Sequence, residues 1–195
     1  DGDVTLITAE PKRGKSTIAS ILAEHNAYEL GHIVLLLQLE IDQDSAEMRS
    51  IARDLLIPRD ALATGHINPD AEDQFILNYE RDENGKIVGL EQKKKASVKA
   101  VFDARMAQLS SRTGTAVYAY CPGWTVFRII EAMRMMSVVA KEEGKKLLVI
   151  IDYYNKISRD GIAGDGEAST LSRIADHIKD TTASIGCHTI VFSQE

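Results

Sequence analysis

Three stretches of the chain, IVLLLQLE at 33–40, KLLVIID at 146–152 and HTIVFSQ at 188–194, are almost unbroken apolar runs of strand length. A strand with one wet face alternates apolar and polar residues, so a run with no polar face has to be covered on both sides. VTLITA at 4–9 and AVYAY at 116–120 make five runs, and VTLIT likewise reads as a buried strand. Helical periodicity fills the intervals. Ile18, Ile21 and Leu22 share a face of 16–30, which stops at Gly31, and Met48, Ile51, Ala52 and Leu55 share one over 43–56. Val98, Val101, Phe102 and Leu109 recur over 97–112 before Gly114. Val126, Ile129, Ile130, Met133 and Met136 recur over 124–142 before Gly144. Leu171, Ile174, Ile178 and Ile185 recur over 169–185 before Gly186. Glycine is the usual residue just past a helix. Strand, helix, strand, helix with short links predicts an α/β fold, a mainly parallel sheet with helices on both faces. The methionines at 133–136 read as core filling.

One segment breaks the rhythm. Residues 66–95 are polar, and Asn84-Gly85 lies between two half-apolar stretches, FILNYERDE and KIVGLEQ. That dipeptide is the strongest short hairpin signal, so a surface insertion carrying a β-hairpin near 75–92 is expected. Lys93, Lys94 and Lys95 follow it, close to Glu80, Asp82, Glu83 and Glu91, and read as a solvated helix start.

At 195 residues and 44% hydrophobic, the chain can bury the core of one domain, 1–195. A net charge of −6 excludes a surface basic throughout, so nucleic-acid contact has to be local or made through backbone amides. Cys121 and Cys187 are too few for a disulfide framework or a zinc site and read as buried hydrophobes. With no run of membrane-spanning length and no signal peptide, a cytoplasmic location is expected. The chain starts on a strand and stops at a strand exit, which reads as a fragment of a longer protein.

Chemistry is carried by the loops. Between the first strand and the first helix stands AEPKRGKST, residues 9–17. It fits the phosphate-loop pattern G-x-x-x-x-G-K-[ST], with Ala9 in place of the first glycine. The stretch Glu10, Pro11, Lys12, Arg13 spans the loop, and Gly14 lets the backbone approach a phosphate. Lys15 supplies a charge for β- and γ-phosphates, Ser16 a hydroxyl for Mg²⁺, and Thr17 continues the helix start. Lys12 and Arg13 read equally as phosphate contacts or solvated charges. Such a nucleoside triphosphate site needs a second acid on a neighbouring strand, and Asp152 ends LLVIID in that place. Glu40, ending VLLLQLE, is placed to activate water. Ser193 and Gln194 end the last run, either as a capping polar pair or with Gln194 as a γ-phosphate sensor. Lys15, Glu40, Asp152 and Gln194 all fall at strand exits, where open α/β sheets bind ligands.

In order along the chain, these residues resemble the RecA-like ATPase domain of DnaB-type replicative hexameric helicases and phage primase-helicases. GDVTLITAEPKRGKST is similar to the family's strand and phosphate loop, in which alanine and proline are usual. VLLLQLEIDQDSAEMRSIA resembles the motif with the catalytic glutamate and a Met-Arg pair, here Met48 and Arg49. AVYAYCPGWTVFRIIEAMRMM resembles the strand, turn and helix before the second acid. LLVIIDYYNKI resembles the motif in which Tyr follows that acid. STLSRIADHIKDTTASIGCHTIVFSQ resembles the helix with a Ser-Arg pair (Ser172, Arg173) and the closing Ser-Gln strand.

The resemblance implies a motor that hydrolyses ATP with Mg²⁺ and moves single-stranded DNA through a homo-hexameric ring. A neighbour supplies an arginine in trans, and a primase or helicase loader is a possible partner. Its DNA loop corresponds to SRDGIAGDGEAST, 158–170, which composition alone reads equally as a disordered surface loop. Lys156, Arg159, Gly161 and Gly164 are the DNA-contact candidates there. Departures from the family are Tyr154-Asn155 for Leu-Gln, Lys12-Arg13 for smaller or neutral residues, Glu195 for a Leu-Asn pair, and the charged insertion. The arginine finger of the family lies beyond the last strand, outside this chain. The other class of reading is a KaiC- or RadA-like ATPase that controls assembly without unwinding. A small-molecule kinase predicts an arginine-rich lid that the sequence lacks.

Overall fold

The computed structural model describes residues 2–11, 13–40, 45, 48, 49, 51–53, 60, 64, 74–81, 87–110, 114–162, 164 and 166–194. By internal contacts the chain forms two compact units, Asp1–Ala46 with Arg112–Glu195, and Glu47–Ser111.

The first unit is a five-stranded parallel sheet with helices on both faces. It contains β1 (Val4–Ala9), β2 (Ile33–Gln38), β5 (Thr115–Tyr120), β6 (Leu147–Asp152) and β7 (His188–Gln194), in the order β1-β7-β6-β2-β5. Helix α1 (Lys15–Glu24) runs into a π-helical turn, His25–Glu29. The other helices of this unit are α3 (Val126–Glu142) and α4 (Glu167–Ile185). Every residue of β2 and β6 is buried, the double coverage that their unbroken apolar runs require. Side chains pointing one way, Leu35, Leu37, Val149 and Ile151, pack with Ile129 and Met133 of α3 and Ile174 and Ile178 of α4. Those pointing the other way, Val34, Leu36, Ile150 and Phe192, pack with Ala19, Ala23 and Ala27. Each large side chain so buried stabilises the fold by about 1.5–3 kcal/mol.

Three expectations for this unit need correction. First, β1 is not a buried strand. It pairs only with β7, at the sheet edge, and Val4 and Leu6 are exposed. Second, α1 does not bury its isoleucines. Ile18 and Ile21 are 45% and 46% exposed, while the fully buried face is Ala19 and Ala23. Small side chains let the short helix after the phosphate loop sit close on the sheet. Third, the methionine group divides: Met133 is buried, Met136 is partly buried and Met135 is 66% exposed.

The second unit contains an antiparallel hairpin, β3 (Gln74–Arg81) and β4 (Ile87–Ala96), and helix α2 (Val98–Ser110). Asn84-Gly85 lies outside the described residues. Lys93, Lys94 and Lys95 are not a helix start: they stand in β4 opposite Leu77, Ile76 and Phe75. The helix expected over 43–56 is described only at Ser45, Met48, Arg49 and 51–53, which are helical. Leu55 lies outside the described residues, as do the side chains of Phe102 and Leu109.

Candidate functional site

The C-terminal ends of the parallel strands bring the candidate residues to one edge of the first unit. After β1 the chain turns through the loop into α1, whose N-cap is Gly14 at φ 82°. That backbone conformation favours glycine, and nothing lies within 4 Å of where a Cβ would stand, so the loop is open on that side. The first turn of α1 carries no acid, which leaves its positive dipole end uncompensated. Lys15 is buried, and its ammonium donates back across the loop to the carbonyls of Ala9 (2.6 Å) and Glu10 (3.0 Å). Ser16 is half-buried; Pro11 and Thr17 are exposed. Arg13 pairs with Glu10 at 3.0 Å on the surface, and Lys12 lies outside the described residues.

Asp152 ends β6 and is 3% exposed. It stands in register with Gln38 at the end of β2, and the Leu39 amide donates to the Asp152 carbonyl at 2.9 Å, carrying the pairing one residue further. The next residue, Glu40, is exposed. The peptide between Asp152 and Tyr153 is cis. Tyr153 gathers the charges of the site. Its ring centroid lies 5.9 Å from the Lys15 ammonium and 6.0 Å from that of Lys156. Burial, then the Glu40 carboxylate, push the Tyr153 phenol up in pKa, while the Lys156 ammonium pulls it down. The phenol is hydrogen-bonded to both. Thus Lys15, Glu40 and Asp152, remote in sequence, converge around one tyrosine.

At the edge of this cluster a 3₁₀ turn, Tyr154–Lys156, is anchored on two sides. The Tyr154 hydroxyl donates to the Leu171 carbonyl in α4. The Asn155 side chain meets the end of β7, where Gln194 is half-buried and paired in register with Ala9. Glu195 lies outside the described residues.

The candidate DNA loop is shorter than 158–170. Helix α4 begins at Glu167, so 167–170 are helical, with Gly166 as N-cap. Arg159 is ion-paired to Glu167, the first residue of that helix. Gly161 stands at φ 81° beside the Phe127 ring, and at Gly164 a Cβ would meet the Thr170 hydroxyl at 2.5 Å. Lys156 is exposed and leans on the Tyr153 ring. The four candidates therefore line successive parts of a packed segment; Ala163 and Asp165, between them, lie outside the described residues.

Two participants had weak signals in the sequence. Gln38 is 2% exposed, and its Oε1 has no hydrogen-bond partner among the described residues. Buried polar atoms of that kind call for an explanation. Its one sequence mark is an amide closing an apolar run, level with Asp152. For the role of Asn155 the sequence carries no mark beyond its departure from the family pattern.

The donor set suits magnesium: hard oxygen from one strand-end carboxylate, one hydroxyl at a helix start and a buried amide oxygen lacking a partner among the described residues. Among those residues no cluster of three or more His, Cys, Asp or Glu could hold a metal by itself. That fits an ion which takes most of its ligands from phosphates and water. A cleft of about 420 Å³ lined by His32, Lys146 and His188 opens at the other end of the sheet, away from these residues. Cys121 and Cys187 are buried, and burial pushes the Cys121 thiol up to about 11, so neither is a nucleophile at neutral pH.

Among solved structures, the chain matches the ATPase domain of a DnaB-like replicative helicase with a TM-score of 0.72 at 19% identity, over 98% of this chain and 57% of that one. It matches a second DnaB-like replicative helicase, whose structure describes its interactions with primase, with a TM-score of 0.70 at 18% identity. That match covers 99% of this chain and 40% of the helicase. The chain has the RecA-like fold of these helicase ATPase domains. It spans less than two thirds of the length of either. No protein-family model and no curated protein matches it. No helix among the described residues is long and apolar enough to cross a membrane.

Proposed function

We propose that this chain is the ATP-hydrolysing motor domain of a replicative DNA helicase that moves along single-stranded DNA as a hexameric ring. The observation that carries the reading is the convergence of Lys15, Glu40 and the Asp152-Tyr153 step at neighbouring strand exits, with Lys15 arched over the phosphate loop. The shared fold with helicase ATPase domains supports it.

In this reading the loop amides of 10–14 and the dipole of α1 hold the phosphates. Lys15 leaves its carbonyl partners for, or shares them with, the β- and γ-phosphate oxygens. Glu40 takes a proton from the attacking water, and Gln194 contacts the γ-phosphate. Mg²⁺, held by Ser16 and Asp152, supplies charge neutralisation at the phosphates. An arginine from a neighbouring subunit completes transition-state stabilisation. Lys156, with Arg159 once released from Glu167, contacts the DNA backbone, and the full protein meets a primase or loader.

Strand displacement on forked DNA by the full-length protein tests the reading. ATP-dependent separation is expected, with Glu40→Gln lowering turnover by about a hundredfold or more while nucleotide still binds. Turnover that needs Glu40 but never separates the fork would replace the helicase by an assembly-controlling ATPase.

A further inference from the structure

Pairing between β6 and β7 stops at Ile151 and Val191. Strand β7 continues three residues further, held on one side by β1, whose Ala9 faces Gln194. On its other side the Asn155 carboxamide takes the place of a strand. Asn155 Oδ1 accepts from the Gln194 backbone amide at 3.1 Å and from the Ser193 hydroxyl at 2.9 Å. Asn155 Nδ2 donates to the Gln194 carbonyl at 3.3 Å. A carboxamide has the same donor and acceptor as a peptide group, so one side chain adds a further rung to the ladder. The rung falls on the one residue of β7 that stands level with the start of the phosphate loop. Asn155 itself is held in place from α4 through Tyr154.

We propose that Asn155 is a positioning residue for triphosphate discrimination. By gripping both backbone groups of Gln194 it holds that side chain at the height of the γ-phosphoryl group, so that the site prefers a nucleoside triphosphate to a diphosphate. The inference rests on the nucleotide site proposed above and adds to it the group that aims Gln194. Without the grip, the last rung of β7 is held from β1 alone, and the Gln194 amide loses its fixed distance from the loop. Groups that contact the α- and β-phosphates, the loop amides and Lys15, are untouched by the change. The loss is therefore confined to the γ-position.

The test is equilibrium binding of ADP and of a nonhydrolysable ATP analogue, both with Mg²⁺, to the 195-residue chain and its variants. In Asn155→Leu, which keeps the volume and removes the three hydrogen bonds, the ratio of triphosphate to diphosphate affinity is expected to fall about tenfold. ADP affinity is expected to stay within about twofold of the parent. Gln194→Ala should lose the same preference, and the double variant should lose no more than either single one, since both act through one contact. Asn155→Asp retains the two accepted hydrogen bonds and sets an acceptor against the Gln194 carbonyl. It should fall between the parent and Asn155→Leu, and it carries the test if the leucine variant does not fold. A parent that prefers triphosphate, with Gln194→Ala losing that preference and both Asn155 variants keeping it, overturns the positioning role alone. An equal fall in ADP affinity likewise overturns it, because the damage is then general. A parent that binds neither nucleotide overturns the site itself, and the inference with it.

Discussion

Lys15 is a buried cation in a loop that the sequence marks strongly and the structure explains. Its ammonium is kept by the carbonyls of Ala9 and Glu10 and lies beside the Tyr153 ring, so the charge is held ready at the mouth of the loop. Lys15→Ala should lower affinity for a nucleoside triphosphate by about a hundredfold or more, because a charge-assisted contact to phosphate disappears. The two lost carbonyl contacts cost only about 1–3 kcal/mol of stability, so the variant should unfold cooperatively at a slightly lower Tm. Unchanged affinity by calorimetry would remove Lys15 from the site. The pattern from Ala9 to Ser16 was legible because a phosphate loop is local: neighbours in sequence are neighbours in space. Tyr153 and Asn155 were legible only as letters in a family motif. Their partners, Lys15, Glu40, Ser193 and Gln194, come from other strands, and a linear pattern does not say which side chains those strand ends bring together.

At the scale of elements, the strands announced themselves through burial and the helices through period, yet which face a helix buries was not decided by its largest residues. Helix α1 turns Ile18 and Ile21 outward because the approach to the sheet admits only Ala19 and Ala23. The same closeness recurs where β5 begins. A Cβ on Gly114 would stand 1.8 Å from the Ala27 carbonyl oxygen and 2.7 Å from that of His32. Both obstacles are backbone atoms, from the π-helical turn and the entrance to β2, so no side chain can swing away. Gly114→Ala should therefore destabilise the protein by about 2 kcal/mol or more, read as a shift in the urea midpoint with the slope unchanged. A midpoint within error of the parent would mean that the turn is looser than its packing indicates. From sequence Gly114 reads only as a helix stop; its second duty depends on Ala27, which tertiary packing places against it. Lys93, Lys94 and Lys95 show the opposite limit. A charged run after a hairpin signal fits either a strand or a helix start, and pairing with Leu77, Ile76 and Phe75 settled it.

For the whole molecule, all the described candidate residues belong to the first compact unit, and the hairpin belongs to the second. Replacing residues 74–96 by a short flexible linker should leave nucleotide affinity within about twofold of the parent, as expected when an insertion carries none of the site. A collapse of affinity in a variant that still shows the parent's far-UV spectrum would give the hairpin a direct part in the site.

Local chemistry and periodicity were enough, in the sequence alone, to specify a parallel sheet covered on both faces, a phosphate loop between the first strand and its helix, and acids or amides at the other strand exits. Those features are written in residues a few positions apart, where backbone geometry leaves little choice. Tertiary structure decided the order β1-β7-β6-β2-β5, the exposure of β1 at its edge, and the meeting of Tyr153 with two lysines and of Asn155 with Gln194. Strand order depends on the summed packing of both faces at once, and no single stretch of the chain contains that sum.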